Sequence, residues 1–221
     1  MKELLIYDVI GAGLYSEGVT PEHVHDQLKS SAGESILVRI NSPGGSVWDG
    51  LSIMNLLKDY KGQVNIQIDG LAASAATLVA LAGDSVVMAS GSRFMVHEPW
   101  SGTVGNSEEH KKAAEELDDV AVDMANLYSK RTGKGHDEMR SIMKEETWMS
   151  ASKAVSLGFA DSVATEIEAR SCKVPSAFGY KNESADAEQR ELDAISSSAR
   201  KAKLSHKIRS RKLDLTLSQM S

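Results

Sequence analysis

The chain has a single cysteine, Cys172, among its 221 residues, so no disulfide can form within it and a reducing compartment is the natural setting. Aromatic residues are scarce, at 5%. With Ala and Gly plentiful, that scarcity argues for close helix packing rather than an aromatic-rich β-sandwich. Long apolar runs are missing as well. The most apolar stretch, Leu71 to Gly83, is too short to span a bilayer. The start, Met1-Lys2-Glu3, passes directly into Leu4-Leu5-Ile6-Tyr7-Asp8, which has neither the apolar length nor the cleavage site of a signal peptide. A soluble, cytoplasmic protein is expected. What is present, 41% apolar and 25% charged residues, is a globular balance sufficient for one α/β domain with an appendage.

Charge divides the chain. The net charge is −6, but residues 1–165 hold 14 Lys and Arg against 23 Asp and Glu, whereas residues 166–221 hold 11 against 8. Near Thr165 the recurrent apolar runs give way to Lys181-Asn182-Glu183-Ser184-Ala185-Asp186 and Ser196-Ser197-Ser198, sequence that buries little surface. Residues 1–165 therefore read as the folded domain and 166–221 as a polar, partly basic extension, with the boundary at about 165–175. Arg200 to Lys212 holds seven cations and no acid. With no aromatics between them, these read as a solvated face or tail ahead of a nucleic-acid contact.

Within residues 1–165 the periodicity predicts strands at Leu4–Val9, Ser35–Ile40, Val64–Ile68, Ser85–Met88 and Phe94–Val96. Helices are predicted from Thr20-Pro21 to about Ser30, and over Val47–Tyr60, Ser74–Ala82, Ser107–Arg131, His136–Glu145 and Ser152–Leu157. Thr20-Pro21-Glu22 is a helix start by its chemistry: a capping hydroxyl, a proline in the first turn, then an acid at the positive end. Strands alternating with helices predict parallel pairing with right-handed crossovers, an α/β fold.

Three places could carry chemistry. Ile40-Asn41-Ser42-Pro43-Gly44-Gly45 joins a strand to a helix, and its glycines let backbone N–H groups approach a ligand. Gly70-Leu71-Ala72-Ala73-Ser74-Ala75-Ala76 joins another, with one hydroxyl among small neighbours. Phe94-Met95-Val96-His97-Glu98-Pro99 sets an imidazole at a strand end. Singly, these read as a turn, a helix cap and a hydrogen-bonded histidine. His23-Val24-His25 alternates on a predicted helix, where the rings face apart, so no metal site is expected. The Gly-x4-Gly-Lys-Ser/Thr phosphate loop is absent, and no cofactor is expected either.

Order and spacing change the reading. Ser74 follows Gly45 by 29 positions and His97 follows Ser74 by 23. In that arrangement, with Met149-Ser150-Ala151, Ala154-Val155 and Gly158-Phe159-Ala160-Asp161 further on, residues 3–165 resemble the Clp-type serine peptidases. The resemblance implies a crotonase-like (ClpP-like) α/β spiral of repeated β-β-α units with a long handle helix, here Ser107–Arg131. It implies a Ser-His-Asp type triad in which Ser74 is nucleophile and His97 general base, with Gly45 and Ala75 as oxyanion-hole donors. The family's Asp falls three residues before Met149-Ser150-Ala151, which is Glu146, with Glu145 the alternative. It implies protein or peptide substrates and a ring-shaped homo-oligomer in which the stripe Leu117, Val120, Met124 and Leu127 docks on another subunit.

Within the family, His97-Glu98-Pro99, Glu145-Glu146-Thr147-Trp148 and the Asn41 to Gly50 segment resemble the phage prohead (head maturation) proteases, which process scaffold and capsid proteins. The first strand begins at about Glu3, without the preceding segment that engages an unfoldase ATPase in the housekeeping enzymes, so no such partner is expected. A housekeeping ATP-dependent proteolytic subunit is the alternative. An acyl-thioester-binding crotonase-fold protein comes third, because it has no use for Ser74 and His97 together. The extension is expected to be trimmed, by the enzyme itself or a neighbour and without ATP, between Ser171 and Ala199.

Overall fold

The computed structural model describes residues 1–12 and 18–164. Gly13, the domain boundary, the extension 166–221, its basic stretch, its expected trimming and Cys172 lie outside the described residues. The elements run β1 (Lys2–Ile6), α1 (Pro21–Ser30), β2 (Ile36–Ser42), α2 (Val47–Lys58), β3 (Val64–Ala73), α3 (Ala75–Ala80), β4 (Ser85–Met88), β5 (Arg93–Val96), α4 (Ser107–Thr132), α5 (His136–Lys144), β6 (Thr147–Ser150), α6 (Ala151–Leu157) and β7 (Ser162–Val163). Five strands form a parallel sheet in the order β1-β2-β3-β4-β7.

β3 is the hub of this sheet. Its first half, Asn65–Ile68, pairs with β4, and its second half, Leu71–Ala73, pairs with β5. The register against β2 slips between these halves, from Ile40 opposite Ile68 to Ser42 opposite Ala72. Such a slip bends a strand and re-aims the residues beyond it. At the slip stands Gly70, where a Cβ would lie 2.7 Å from Asn41 Oδ1. The periodicity predicts the end of this strand at Ile68, short of its true end at Ala73. Asp69-Gly70 breaks the alternation there, and Ala72-Ala73 carries no β signature.

A polar brace sits beside the slip. Asp69 accepts from Arg39 Nε at 2.8 Å and Nη2 at 2.7 Å, from Gln67 Nε2 at 2.8 Å, and from the Tyr7 hydroxyl. Burial pushes the Asp69 carboxyl up, but these donors outweigh it and hold it below the usual carboxylate range. A fork-on-fork pair of this kind fixes direction as well as charge, so it clamps β2 to β3 where the ladder is irregular.

The other side of the sheet is apolar. Ile6, Val38, Ile40, Ile66 and Ile68 share one core with Val24 and Leu28 of α1, Ile53, Met54 and Leu57 of α2, and Leu78 and Val79 of α3. Burying each such side chain contributes about 1.5–3 kcal/mol. The first helix forms as its sequence requires: Thr20 Oγ1 caps the His23 N–H and Pro21 occupies the first turn. α4 opens with a full capping box between Asn106 and Glu109 and closes at Gly133 with φ 71°.

The stripe expected to meet another subunit needs correction. Met124 is buried in this chain's own core, and Val120 and Leu127 pack against that core. Only the N-terminal half of α4, to Asp119, stands mostly exposed, with Ala113 and Leu117 partly covered. The reason lies in Ala121, Ala125 and Tyr128, which widen the stripe on the C-terminal half into a face the core can accept.

Candidate active site

β3 ends at Ala73 and α3 begins at Ala75, so Ser74 alone must turn the chain. It does so at φ 53° and ψ −126°, a region that costs a residue with a Cβ about 1–3 kcal/mol. Its hydroxyl makes no capping bond to α3. Instead Ser74 Oγ lies 2.7 Å from His97 Nε2. With Nδ1 protonated, the hydroxyl donates and the imidazole accepts.

The sheet explains why these two meet. β5 runs parallel to the second half of β3 with Ala73 opposite Met95, and the Ser74 N–H donates to Met95 O at 2.9 Å. His97 stands two residues beyond that anchor, at the strand end. β6 then returns antiparallel, with Met95 opposite Trp148 and Val96 opposite Thr147. That pair ends the ladder, and His97 and Glu146 are the residues that flank it, one after Val96 and the other before Thr147. Glu145, one residue away, is the C-cap of α5 instead.

Glu146 occupies a position that favours glycine. It follows the α5 C-cap at φ 48°, its N–H donating to Met143 O at 3.1 Å. A left-handed turn after a helix usually selects Gly, since a Cβ there costs about 1–2 kcal/mol. Three described non-glycine residues have positive φ, Ala32, Ser74 and Glu146, and two of them are in this site. The Glu146 carboxylate is solvent-exposed and accepts from Trp148 Nε1 at 3.3 Å. Among the described residues no hydrogen bond joins it to His97, yet it acts on the ring through space.

Half-burial lowers the His97 pKa below its ordinary value of 6.5, and the Glu146 charge pulls it back in part. The ring is therefore neutral, and able to accept a proton, at neutral pH. Activity that needs neutral His97 should rise with pH and level off, with a midpoint in kcat/KM below 6.5. Removing the Glu146 charge should move that midpoint lower, because the raising influence goes. A wild-type midpoint above 7 would contradict the first direction, and a Glu146 variant whose midpoint is not lower than wild type would contradict the second.

The glycine loop packs directly on the serine. Ser42 Oγ donates to Asp8 O at 2.6 Å and accepts from the Gly44 N–H at 3.1 Å. Ile10 N–H donates to Gly44 O at 2.8 Å, and Ser46 N–H donates to Ile10 O at 2.9 Å. The Gly45 N–H between them takes no hydrogen bond among the described residues. Ala75, first in α3, carries one of the N–H groups that no intrahelical carbonyl can reach. Both amides are available to a developing anion.

At Gly44, φ is 92° and a Cβ would stand 2.5 Å from Ala73 O and 2.7 Å from Ser74 Cβ. Gly44→Ala should therefore displace the serine. The expected result is a loss of stability above about 1 kcal/mol together with a large fall in turnover. Thermal denaturation and peptide hydrolysis check both, and a stable, fully active variant would contradict the contact.

Two contacts near the site had no signature in the sequence. Arg140 Nη2 of α5 lies 3.0 Å from Glu98, the residue after His97, and 3.4 Å from Asp118 of α4. Thr77 Oγ1 lies 2.6 Å from the Tyr128 hydroxyl, 51 positions along the chain. Neither pair follows a helical or strand period. Among the described residues no three His, Cys, Asp or Glu side chains gather as a metal site.

An alcohol that hands its proton to a neighbouring imidazole, on a strand-to-helix turn with free amides beside it, defines a hydrolase of the serine type. Comparison with known proteins narrows the class. Residues 21–167 match the family model described as Clp protease. An ATP-dependent Clp protease proteolytic subunit from Pleurastrum terricola is 33% identical over 135 residues, 60% of this chain and 69% of that one. Proteolytic subunit 1 of the corresponding enzyme from Synechococcus sp. (strain CC9902) is 35% identical, over 59% of this chain and 67% of the other. Among solved structures, a mutant ClpP1 from Listeria monocytogenes superposes with a TM-score of 0.65 at 26% identity, covering 76% of this chain and 92% of that one. The chain belongs to the Clp protease family. It is a serine-type endopeptidase with the ClpP-like α/β fold.

Proposed function

We propose that Ser74, His97 and Glu146 form the catalytic triad of this endopeptidase, with the Gly45 and Ala75 N–H groups as its oxyanion hole. The observation that carries the proposal is the 2.7 Å contact between Ser74 Oγ and His97 Nε2 at the ends of neighbouring strands. Ser74 Oγ attacks the scissile carbonyl as His97 Nε2 takes its proton, and the carbonyl oxygen becomes an anion held by the two amides. His97 then gives that proton to the leaving amine as the C–N bond breaks. Water repeats the sequence on the acyl-enzyme and frees Ser74. Glu146 supports the imidazolium throughout.

Within the family, the relatives from Pleurastrum and Synechococcus are named as proteolytic subunits of ATP-dependent Clp proteases, which favours that role over head maturation. The head-maturation reading keeps its support in the sequence, the Glu98 and Glu145-Glu146-Thr147-Trp148 variations with the Asn41 to Gly50 segment. We further propose a ring-shaped homo-oligomer. Trp48 and Trp100 are 67% and 79% exposed, large apolar surfaces of the kind subunit contacts cover. Residues 1–165 would supply the peptidase, and 166–221 a separate extension.

The test has two arms. A fluorophosphonate should label Ser74, and short peptides should be cleaved without nucleotide. Cleavage of a folded protein that requires an added unfoldase and ATP would support the proteolytic-subunit role. ATP-independent processing of a scaffold or capsid protein encoded beside this chain would favour head maturation. A chain that neither takes the label nor cleaves peptides would overturn the triad.

A further inference from the structure

We infer that Tyr128 and Thr77 form a buried positioning relay that fixes the peptide plane between Ser74 and Ala75, and with it the aim of the Ala75 N–H at the developing oxyanion. The inference rests on the serine-peptidase triad and adds two residues that touch neither substrate nor the reacting atoms.

Proton counting gives the relay its direction. Thr77 Oγ1 donates to the Ser74 carbonyl at 2.6 Å. A hydroxyl has one proton to give, so at the 2.6 Å contact with Tyr128 the threonine oxygen accepts and the tyrosine O–H donates. The order is Tyr128 O–H to Thr77 O–H to Ser74 C=O. The Thr77 N–H adds a second grip on the same carbonyl at 2.9 Å.

The carbonyl of Ser74 and the N–H of Ala75 belong to one rigid, planar peptide unit, pointing in opposite directions. Whatever holds the carbonyl therefore also fixes the N–H, which points the opposite way. Ser74 is where such a hold is needed, because φ 53° with ψ −126° is a backbone setting the chain would leave if released. Hydrogen bonds in series also polarise one another, so a carbonyl gripped this way leaves its amide a better donor.

The tyrosine end is anchored. Tyr128 is fully buried on α4, its ring edge-on to Phe159 at 5.6 Å, and Phe159 lies 5.1 Å from Phe94 of β5. Thr132 Oγ1 also bonds the Tyr128 carbonyl at 2.8 Å. Burial raises the tyrosine pKa, so the phenol keeps its proton throughout the working range. A residue placed only to fill the core would not need its hydroxyl, and Phe packs in the same space.

The experiment is a double-mutant cycle on the full chain, with wild type and Ser74→Ala alongside. Thr77→Val should lower kcat by about 10- to 100-fold with KM little changed, short of the roughly 10²–10³-fold loss of a whole oxyanion donor. Tyr128→Phe should lower it by a smaller factor, about 3- to 10-fold, because the threonine can still reach the carbonyl. Thr77→Ser, which keeps the hydroxyl, should restore most of the rate. The pH midpoint should stay put in every variant, since the serine–histidine pair is untouched.

Stability and rate should part company in the double variant. Thr77→Val alone strands the buried tyrosine donor and lowers Tm. Adding Tyr128→Phe removes that stranded group and should raise Tm again, while kcat stays at the Thr77→Val level. A rate that recovers with Tm, or single variants with wild-type kcat, would overturn the relay and leave the triad standing. A wild-type chain that takes no phosphonate and cleaves no peptide would overturn the triad, and the relay with it.

Discussion

Ser74→Ala should lose peptide hydrolysis down to the floor of about 10³–10⁴-fold over the uncatalysed rate that oxyanion contacts and binding alone can sustain. The fold should be untouched, for reasons specific to this site. The serine hydroxyl caps nothing and its one side-chain partner is His97. Alanine keeps the same Cβ, so the cost of φ 53° is unchanged, and Tm should move by no more than about 0.5 kcal/mol would produce. Steady-state kinetics, phosphonate uptake by intact mass and thermal denaturation, run on the same preparation, check all three. Near-normal turnover would end the assignment of the nucleophile.

Glu146→Gln should lower kcat, but by less than the about 10⁴-fold that follows loss of a buried acid hydrogen-bonded to its imidazole, because this carboxylate is exposed and acts on His97 through space. The amide keeps the side-chain length and the left-handed backbone but cannot support an imidazolium. Glu146→Asp should recover part of the rate, limited by one methylene less of reach. Glu145→Gln should be mild, since that residue ends α5 and lies one step further from the β5–β6 ladder than Glu146. If the effects of the two glutamates were exchanged, the assignment of Glu146 rather than Glu145 would be wrong.

The parts of the fold readable in the sequence are those where one local rule decides. Thr20 followed by Pro21 fixes the start of α1 to the residue, and the apolar spacing on α4 fixes that helix from Ser107 nearly to its end at Thr132. What was not readable depends on partners distant in sequence. β6 and β7 are short, without alternation, and exist as strands only because β5 and β4 offer them edges. The antiparallel entry of β6 has no local signature for that reason, though it returns Glu146 beside the end of β5. The same limit governs the site. Ser74 alone reads as a cap and His97 alone as an ordinary histidine, until order and spacing along the whole domain bring in a family resemblance. Thr77 and Tyr128 had no signal of any kind, since only the finished core brings them together.

The β5–β6 ladder has a consequence for how this architecture can change. The chain leaves the sheet after Val96, runs through α4 and α5, and comes back at Thr147, directly across from where it left. Closing a longer excursion costs only about 0.6 kcal/mol per doubling of its length. Whole turns could therefore be gained or lost between Ser107 and Glu116, ahead of the Asp118–Arg140 contact and the buried part of α4, with Glu146 still returned beside the end of β5. That stretch of the helix is a free variable of the design: it can be rewritten for a new neighbour without retuning the chemistry.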